Sequence, residues 1–240
     1  FFDLKGPNFV FGSESKALFA HPQIRPEADM DSFREIFGIG PARTPGCGVF
    51  CGLREVKPGC ILEYSRGGMR EYAYWTLQAR PHTDSYRQTV ETVSWLLRDA
   101  VKRQLVSDVP VCSFLSGGID SSVVTAIASR QLAAEGVALN TFSFDFAHND
   151  TCFQSNAFQP TRDRPYVDQV LELYPLHHTY LECDEATLAD LLDDAVRMKD
   201  LPGMTDVDAS LLYFCGLVKR HNKVALTGEC ADEIFGGYPW

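Results

Sequence analysis

The sequence is short of positive charge. Its 240 residues hold 22 Lys and Arg against 32 Asp and Glu, a formal net charge of -10 at pH 7. A phosphate backbone is bound by grouped Lys and Arg, and no such group stands out here, so the charge pattern excludes a nucleic-acid partner. Long apolar runs are missing as well. None approaches the roughly 20 residues a membrane span needs, and no basic-then-apolar leader opens the chain, which excludes a membrane partner and leads to the expectation of a soluble, cytoplasmic protein. Cysteines are present at positions 47, 51, 60, 112, 152, 183, 215 and 230, yet no C-x-x-C pair or matching histidine spacing accompanies them. That absence argues against a zinc site, and the residues read as reduced, mostly buried thiols. There is no internal repeat or low-complexity tract, and no initiating Met. The chain opens on Phe1-Phe2 and stops after "GGYPW", and so reads as a fragment cut at both ends.

What is there is enough apolar material for a packed core, 45% by residue. From Phe1 to about Leu77 the text is rich in turn residues and short alternating segments. "CILEY" and "REYAYW" flank "SRGG", a hairpin pattern in which Gly67 and Gly68 can take positive φ. One helix is expected here, "DMDSFREIFG", closed by Gly38. "QARPHTD", with Pro81, marks a boundary, giving domains at 1–80 and 81–240.

Beyond it the period changes. Val90, Val93, Leu97, Ala100 and Val101 form one helical stripe, followed by "VPVCSFL", a continuous apolar run suited to a strand covered on both faces. Helix "SSVVTAIASRQLAAEG", strand "ALNTFSFDF", helix "DRPYVDQVLELY", strand "LHHTYLEC", helices "DEATLADLLDDAVRMKD" and "DASLLYFCGLVKRH", and strand "KVALTG" complete the order. Strand and helix in alternation predict an α/β fold whose parallel sheet carries helices on both faces, with ligands at the carboxyl ends of the strands.

Two glycine-containing turns, "SGGIDSS" and "TGECADEIFGGY", each follow an expected strand, so both belong at that one edge. The first opens a helix, where unpaired amides and the helix dipole favour an anion. No Walker loop or G-x-G-x-x-G is present. The second turn brings Asp120, Glu229, Asp232 and Glu233 to the same edge, and carboxylates beside a phosphate make physical sense with a divalent metal between them.

"FLSGGIDSS" resembles the signature of the PP-loop ATP pyrophosphatases. "LTGECADEIFGGY" is similar to the second signature of glutamine-dependent asparagine synthetases, usually S-G-E-G-x-D-E-x-F-G-G-Y. The segments "FGSESKALFAHP" and "VFCGLREVKPGCILEY" resemble the end of that family's glutaminase domain, of the N-terminal-nucleophile type. The resemblance covers essentially the whole chain. It implies an adenine-nucleotide α-hydrolase-like domain preceded by the β-rich end of an amidotransferase domain. The activity it implies is synthesis of asparagine from aspartate, ATP and glutamine or ammonia through an acyl-adenylate, releasing AMP and pyrophosphate. On it, Ser116, Gly117, Gly118, Ser121 and Ser122 would hold the pyrophosphate part of ATP. Asp120 and Asp232 would bind Mg²⁺, and Leu115, Phe144, Thr227 and Gly228 would line the adenosine pocket. Glu229 would meet the acceptor or take a proton from attacking ammonia, which makes Glu229, Asp120 and Asp232 the catalytic set. The resemblance also allows a homodimer.

Three departures from the family pattern stand out. The family's nucleophilic cysteine at its N-terminus matches none of the eight cysteines here. A phosphate-contacting Lys that the family supplies further on lies beyond Trp240. Asp208 stands where an Arg near the substrate is expected and, with the variant segment "NAFQPTRDRPYVDQV", it opens the alternative of a ligase or lactam synthetase acting on another carboxylate. A nucleotide-binding remnant without turnover is the non-enzyme alternative. His177 and His178 are adjacent on a strand and face opposite ways, so they read as structural. "SESK" reads as a capping element, and Cys230 as a small residue in place of a family glycine.

Overall fold

The computed structural model describes residues 1–155 and 160–237. The start of the variant segment, 156–159, and the terminal 238–240 lie outside the described residues. The chain forms two compact units, one of Phe1–His82 with Leu191–Ala209 and one of Thr83–Asp190 with Ser210–Trp240.

In the first unit β1 (Phe2–Lys5) and β2 (Asn8–Phe11) form an antiparallel pair. Helices α1 (Ser15–Phe19) and α2 (Met30–Ile39) follow. Asp29 caps α2 by accepting from the amides of Asp31 and Ser32, while Ser32 returns a bond to the Asp29 amide. The helix runs through Gly38, the expected stop, and ends at Gly40, whose φ of 71° it cannot continue. Strands β3 (Cys60–Ser65) and β4 (Gly68–Ala73) make the expected hairpin, with Ser65 opposite Gly68. Of the two turn glycines only Gly68 takes a positive φ, 117°. Leu18, Ile24 and Leu53 form the core.

The second unit opens with α3 (Tyr86–Gln104), capped by Ser85 and Gln88. Then come β5 (Val111–Phe114), α4 (Ile119–Ala133), β6 (Leu139–Phe146), α5 (Asn149–Cys152), α6 (Arg164–Leu173), β7 (Leu176–Cys183) and α7 (Glu185–Asp190). The single helix expected over 184–200 is two. α8 (Leu192–Lys199), part of the first unit, begins afresh after Leu191, whose φ of -92° and ψ of -3° sit at the edge of the right-handed helical region. Asp193 and Asp194 give α8 its own acidic first turn, which the helix dipole favours. The unit boundary falls within α9 (Thr205–Val218), and β8 (Val224–Leu226) and α10 (Ala231–Phe235) complete the order.

β7, β6, β5 and β8 lie side by side in that order, all parallel. Two apolar clusters show that both faces are covered. Val101 of α3, Ala128 of α4 and Leu139 of β6 meet in one, and Phe142 of β6 meets Val218 of α9 and Cys112 in the other. Leu139 and Phe142 differ by an odd number of residues and therefore project to opposite faces of β6. The expected α/β fold with a parallel sheet is what the chain adopts. All eight cysteines are free.

Candidate functional site

β5 ends at Phe114, and Leu115 continues its ladder by donating its amide to the Phe142 carbonyl at 2.9 Å. The chain then turns through Ser116, Gly117 and Gly118 into α4. Gly117 adopts φ 82°, and a Cβ there would stand 2.7 Å from the Asp163 carbonyl oxygen and 3.0 Å from Tyr166 Cβ. Only glycine meets both demands, a left-handed backbone and direct contact with the start of α6. The turn is wound around the buried hydroxyl of Ser121. That hydroxyl lies 2.9 Å from Ser116 Oγ, accepts from the Ser116 amide at 3.2 Å and donates to the Gly118 carbonyl at 3.2 Å.

No side chain caps α4, whose first residue follows Gly118. A 15-residue helix with an uncapped start leaves amides and the positive end of its dipole available to an anion. Asp120 is in its first turn and half-buried.

The second turn leaves β8 through exposed Thr227, Gly228 and exposed Glu229. A Cβ on Gly228 would lie 2.6 Å from the Ser121 amide nitrogen and 2.8 Å from the Asp120 carbonyl carbon. The two glycine turns therefore touch, backbone to backbone, as their place on adjacent parallel strands requires. Cys230 takes a left-handed φ of 71° and starts α10, with Asp232 and Glu233 in its first turn. Gly236 and Gly237 fold back to donate to the Asp232 carbonyl at 2.8 and 3.1 Å, and a Cβ on Gly237 would collide with the Asp232 carboxylate.

Leu115, Ser116, Gly117, Gly118, Asp120, Ser121, Ser122, Thr227, Gly228, Glu229 and Asp232 thus share the carboxyl edge of β5 and β8. Among the described residues no three acidic, His or Cys side chains converge as a complete cation cage. Mg²⁺ asks for less: one or two carboxylates, with substrate phosphates and waters filling the octahedron. Asp120 and Asp232, opening the helices that follow the two turns, suit that donor set.

Phe144 is one strand over, on β6, stacked on Phe214 at 4.4 Å between centroids and against Phe114 at 4.8 Å. Ser143, beside it, donates its hydroxyl to the Leu115 carbonyl.

Two cavities adjoin the turns. One, of about 450 Å³, is lined by Asp120, Thr227, Gly228 and Glu229 and by apolar Leu97, Val123 and Phe235. The other, of about 160 Å³, runs from Leu115 and Ser116 towards Asp145, Arg164 and Tyr180. Asp145, Arg164 and Tyr180 belong to no motif; only the β6–β7 register and the placement of α6 bring them together.

Asp208 is buried and bonded to Lys199 at 2.6 Å, within the first unit, and a Cβ on Gly203 would collide with its carboxylate. His177 is exposed, whereas His178 is half-buried with Nδ1 2.8 Å from Thr141 Oγ1, so the pair divides as strand geometry requires. Burial pulls the His178 pKa below its ordinary 6.5. In "SESK", the Lys16 ammonium bonds Glu14 at 2.8 Å, the Met198 carbonyl at 2.7 Å and Asp200 at 3.1 Å.

The family model for asparagine synthase matches residues 92–240, and that for a glutamine amidotransferase domain matches residues 1–75. Asparagine synthetase [glutamine-hydrolyzing] 3 of Bacillus subtilis is 50% identical over 241 residues, spanning 100% of this chain and 39% of the relative. Putative asparagine synthetase [glutamine-hydrolyzing] 2 of Methanocaldococcus jannaschii is 28% identical over 97% of this chain and 43% of its own. Amidase chyE of Penicillium rubens is 32% identical over 79% of this chain and 29% of its own. The chain thus spans about two fifths of the first two relatives' length. Among solved structures, an NAD+ synthetase from Burkholderia pseudomallei is similar over 64% of this chain and 67% of its own, at 16% identity and a TM-score of 0.36.

Proposed function

Since the chain belongs to the asparagine synthase family, we propose that the protein carrying it converts aspartate to asparagine in the cytoplasm, at the cost of ATP cleaved to AMP and pyrophosphate. Residues 81–240 supply the ATP-binding synthetase domain, and 1–80 the end of the glutaminase domain that delivers ammonia from glutamine. The observation that carries this reading is the contact of Gly228 with Asp120 and Ser121. It fuses the uncapped start of α4 with the acidic turn after β8 into a single seat.

In that seat Ser116, Gly117, Gly118, Ser121 and Ser122 offer hydroxyls and amides to the β- and γ-phosphates. Leu115, Phe144, Thr227 and Gly228 take the adenosine. Asp120 and Asp232 would hold Mg²⁺, which when bound withdraws charge from the phosphate oxygens. The acceptor carboxylate oxygen attacks the α-phosphorus and the bond to pyrophosphate breaks, leaving an acyl-adenylate. Ammonia then attacks the acyl carbon, Glu229 takes its proton, and AMP departs with the carbon–oxygen bonding pair. Adenylation turns a carboxylate oxygen that cannot leave into AMP, which can, and aminolysis then spends that leaving group on the amide bond.

A second reading changes only the acceptor, to another carboxylate closed into an amide or lactam. It is supported by Asp208, which is turned into an ion pair with Lys199 in place of the expected arginine. The test is AMP and pyrophosphate formation by the gene product from MgATP and aspartate, with glutamine or ammonium, alongside the Asp120→Ala variant. AMP in step with asparagine, lost in the variant with Mg-dependent ATP binding, is the expected result. AMP formed only with other carboxylates selects the second reading, and unchanged ATP binding in the variant overturns the site.

A further inference from the structure

The "SESK" stretch makes contacts for which the adenylation chemistry has no use. α1 receives no cap from the side chain of Glu14, the residue before it. The Lys16 amide, in its first turn, donates instead to Asp200 Oδ2 at 2.9 Å, across 184 residues of sequence. A carboxylate suits that place, because the first amides of a helix lack intrahelical partners and lie at the positive end of its dipole.

The contact is returned. α8 ends at Lys199, and the Met198 carbonyl in its last turn has Pro202 four residues on, which carries no N–H to offer it. Lys16 Nζ donates to that carbonyl at 2.7 Å, and lies 3.1 Å from Asp200 Oδ1 and 2.8 Å from Glu14. Each helix end is thus closed by a group from the other segment. Asp200 itself holds a left-handed φ of 66°, a conformation that glycine fits better. Both of its oxygens are engaged at a position where the backbone alone would favour no side chain. Beside it Lys199 pairs with buried Asp208 in the first turn of α9, which folds the connection between the two helices back on itself.

These residues share the first unit but come from two parts of the chain. Lys16 lies in the amidotransferase stretch, and residues 198–208 lie in the synthase stretch. An ion pair as open as this one, with the Lys16 side chain 42% exposed, adds little stability. What a clasp through a backbone amide and a backbone carbonyl fixes is position. We propose that Lys16 and Asp200 are positioning residues that hold the 191–209 segment and the amidotransferase end in one register, so that amidation fed by glutamine depends on them and amidation fed by free ammonium does not. The proposal rests on the function given above. Ammonia released from glutamine has to reach the acyl carbon before water protonates and dilutes it, which demands a fixed geometry, whereas ammonium added in bulk demands none.

The test is run on the gene product and its Lys16→Met, Lys16→Arg and Asp200→Gly variants. Glutamate and AMP are measured together with MgATP, aspartate and glutamine, and AMP is measured again with ammonium in place of glutamine. Glutamate released per AMP is expected to rise about fivefold in Lys16→Met and Asp200→Gly, the lower end of ordinary couplings between sites, and to stay near the wild-type value in Lys16→Arg. The ammonium-fed rate and the melting temperature are expected to match the wild type. Asp200→Gly discriminates best, because glycine relieves the left-handed backbone and a purely structural role predicts no loss there. Hydrogen exchange reads the clasp apart from activity: amides of 15–19 and 198–204 should exchange faster in Lys16→Met and Asp200→Gly, with β5 and β6 unchanged. An unchanged ratio of glutamate to AMP, an equal fall in both rates, or unaltered exchange in those segments overturns the positioning role. Wild type that forms no AMP from aspartate with either nitrogen source overturns the proposed function, and the coupling with it.

Discussion

Cys230 occupies a backbone conformation that suits glycine. A non-glycine residue at φ 71° crowds its Cβ against the next carbonyl, at a cost of about 1–2 kcal/mol, part of which glycine would return as chain entropy in the unfolded state. Cys230→Gly is therefore expected to raise the melting temperature by roughly 2–4 °C, measured by calorimetry. The sequence displayed the substitution for a family glycine but not the reason glycine belongs there, because φ is invisible in a list of residues. Gly228 is the opposite case. Adding a methyl group 2.6 Å from the Ser121 amide must push the two turns apart. A displacement near 1 Å can cost about 10²-fold in rate, so Gly228→Ala should lower ATP turnover by that order in steady-state assays while the far-ultraviolet spectrum is kept. His178 gives a pH signature. Its folded pKa lies below 6.5, so below pH 6.5 the unfolded state binds the proton more readily, and the stability present above that pH is lost as the pH falls towards the folded pKa. The urea midpoint should fall between pH 7 and 5, and less steeply in His178→Gln. Asp168 and Arg164 are the charges that act on this ring, and they oppose one another.

At the scale of elements, what the sequence made legible was whatever repeats at a fixed period or is bracketed by turn chemistry. The apolar runs of β5 and β6 and the stripe of α3 were readable for that reason, and with them the edge where the two motifs meet. The ends of helices were less so. α2 overruns Gly38 because glycine within a helix costs only about 1 kcal/mol, which a capping box and packing can outweigh. The break at Leu191 falls where two compact units divide the chain, a tertiary fact with no local marker. The neighbourhood of the two turns was legible where it coincides with contiguous motifs and opaque where register assembles it, as for Asp145 with Tyr180; in the other unit, the burial that gives Asp208 Lys199 as its partner was equally invisible. Phe214 illustrates how a helix serves the site without touching it, since its ring stacks on Phe144. Phe214→Ala should cost about 3–5 kcal/mol in denaturant unfolding.

Across the molecule the dominant quantity is the charge of -10. An anionic nucleotide approaches such a surface against its mean field, and salt relieves that repulsion. The apparent kcat/KM for ATP is expected to rise roughly twofold between 0.05 and 0.3 M salt; a steep fall would mean that local cations steer the nucleotide instead. The parallel pairing of Val111 with Val224 adds a constraint in time. β5 is made early and its neighbour β8 near the end of this stretch, so a growing chain carries the phosphate turn long before its second wall exists. Until then one edge of β5 is an open template for other strands. Long-range parallel pairing of this kind is slow to form. Synthesis itself thus passes through an interval in which the nascent chain lacks the second wall of the proposed seat and is most exposed to aggregation, an interval that lasts until β8 pairs with β5.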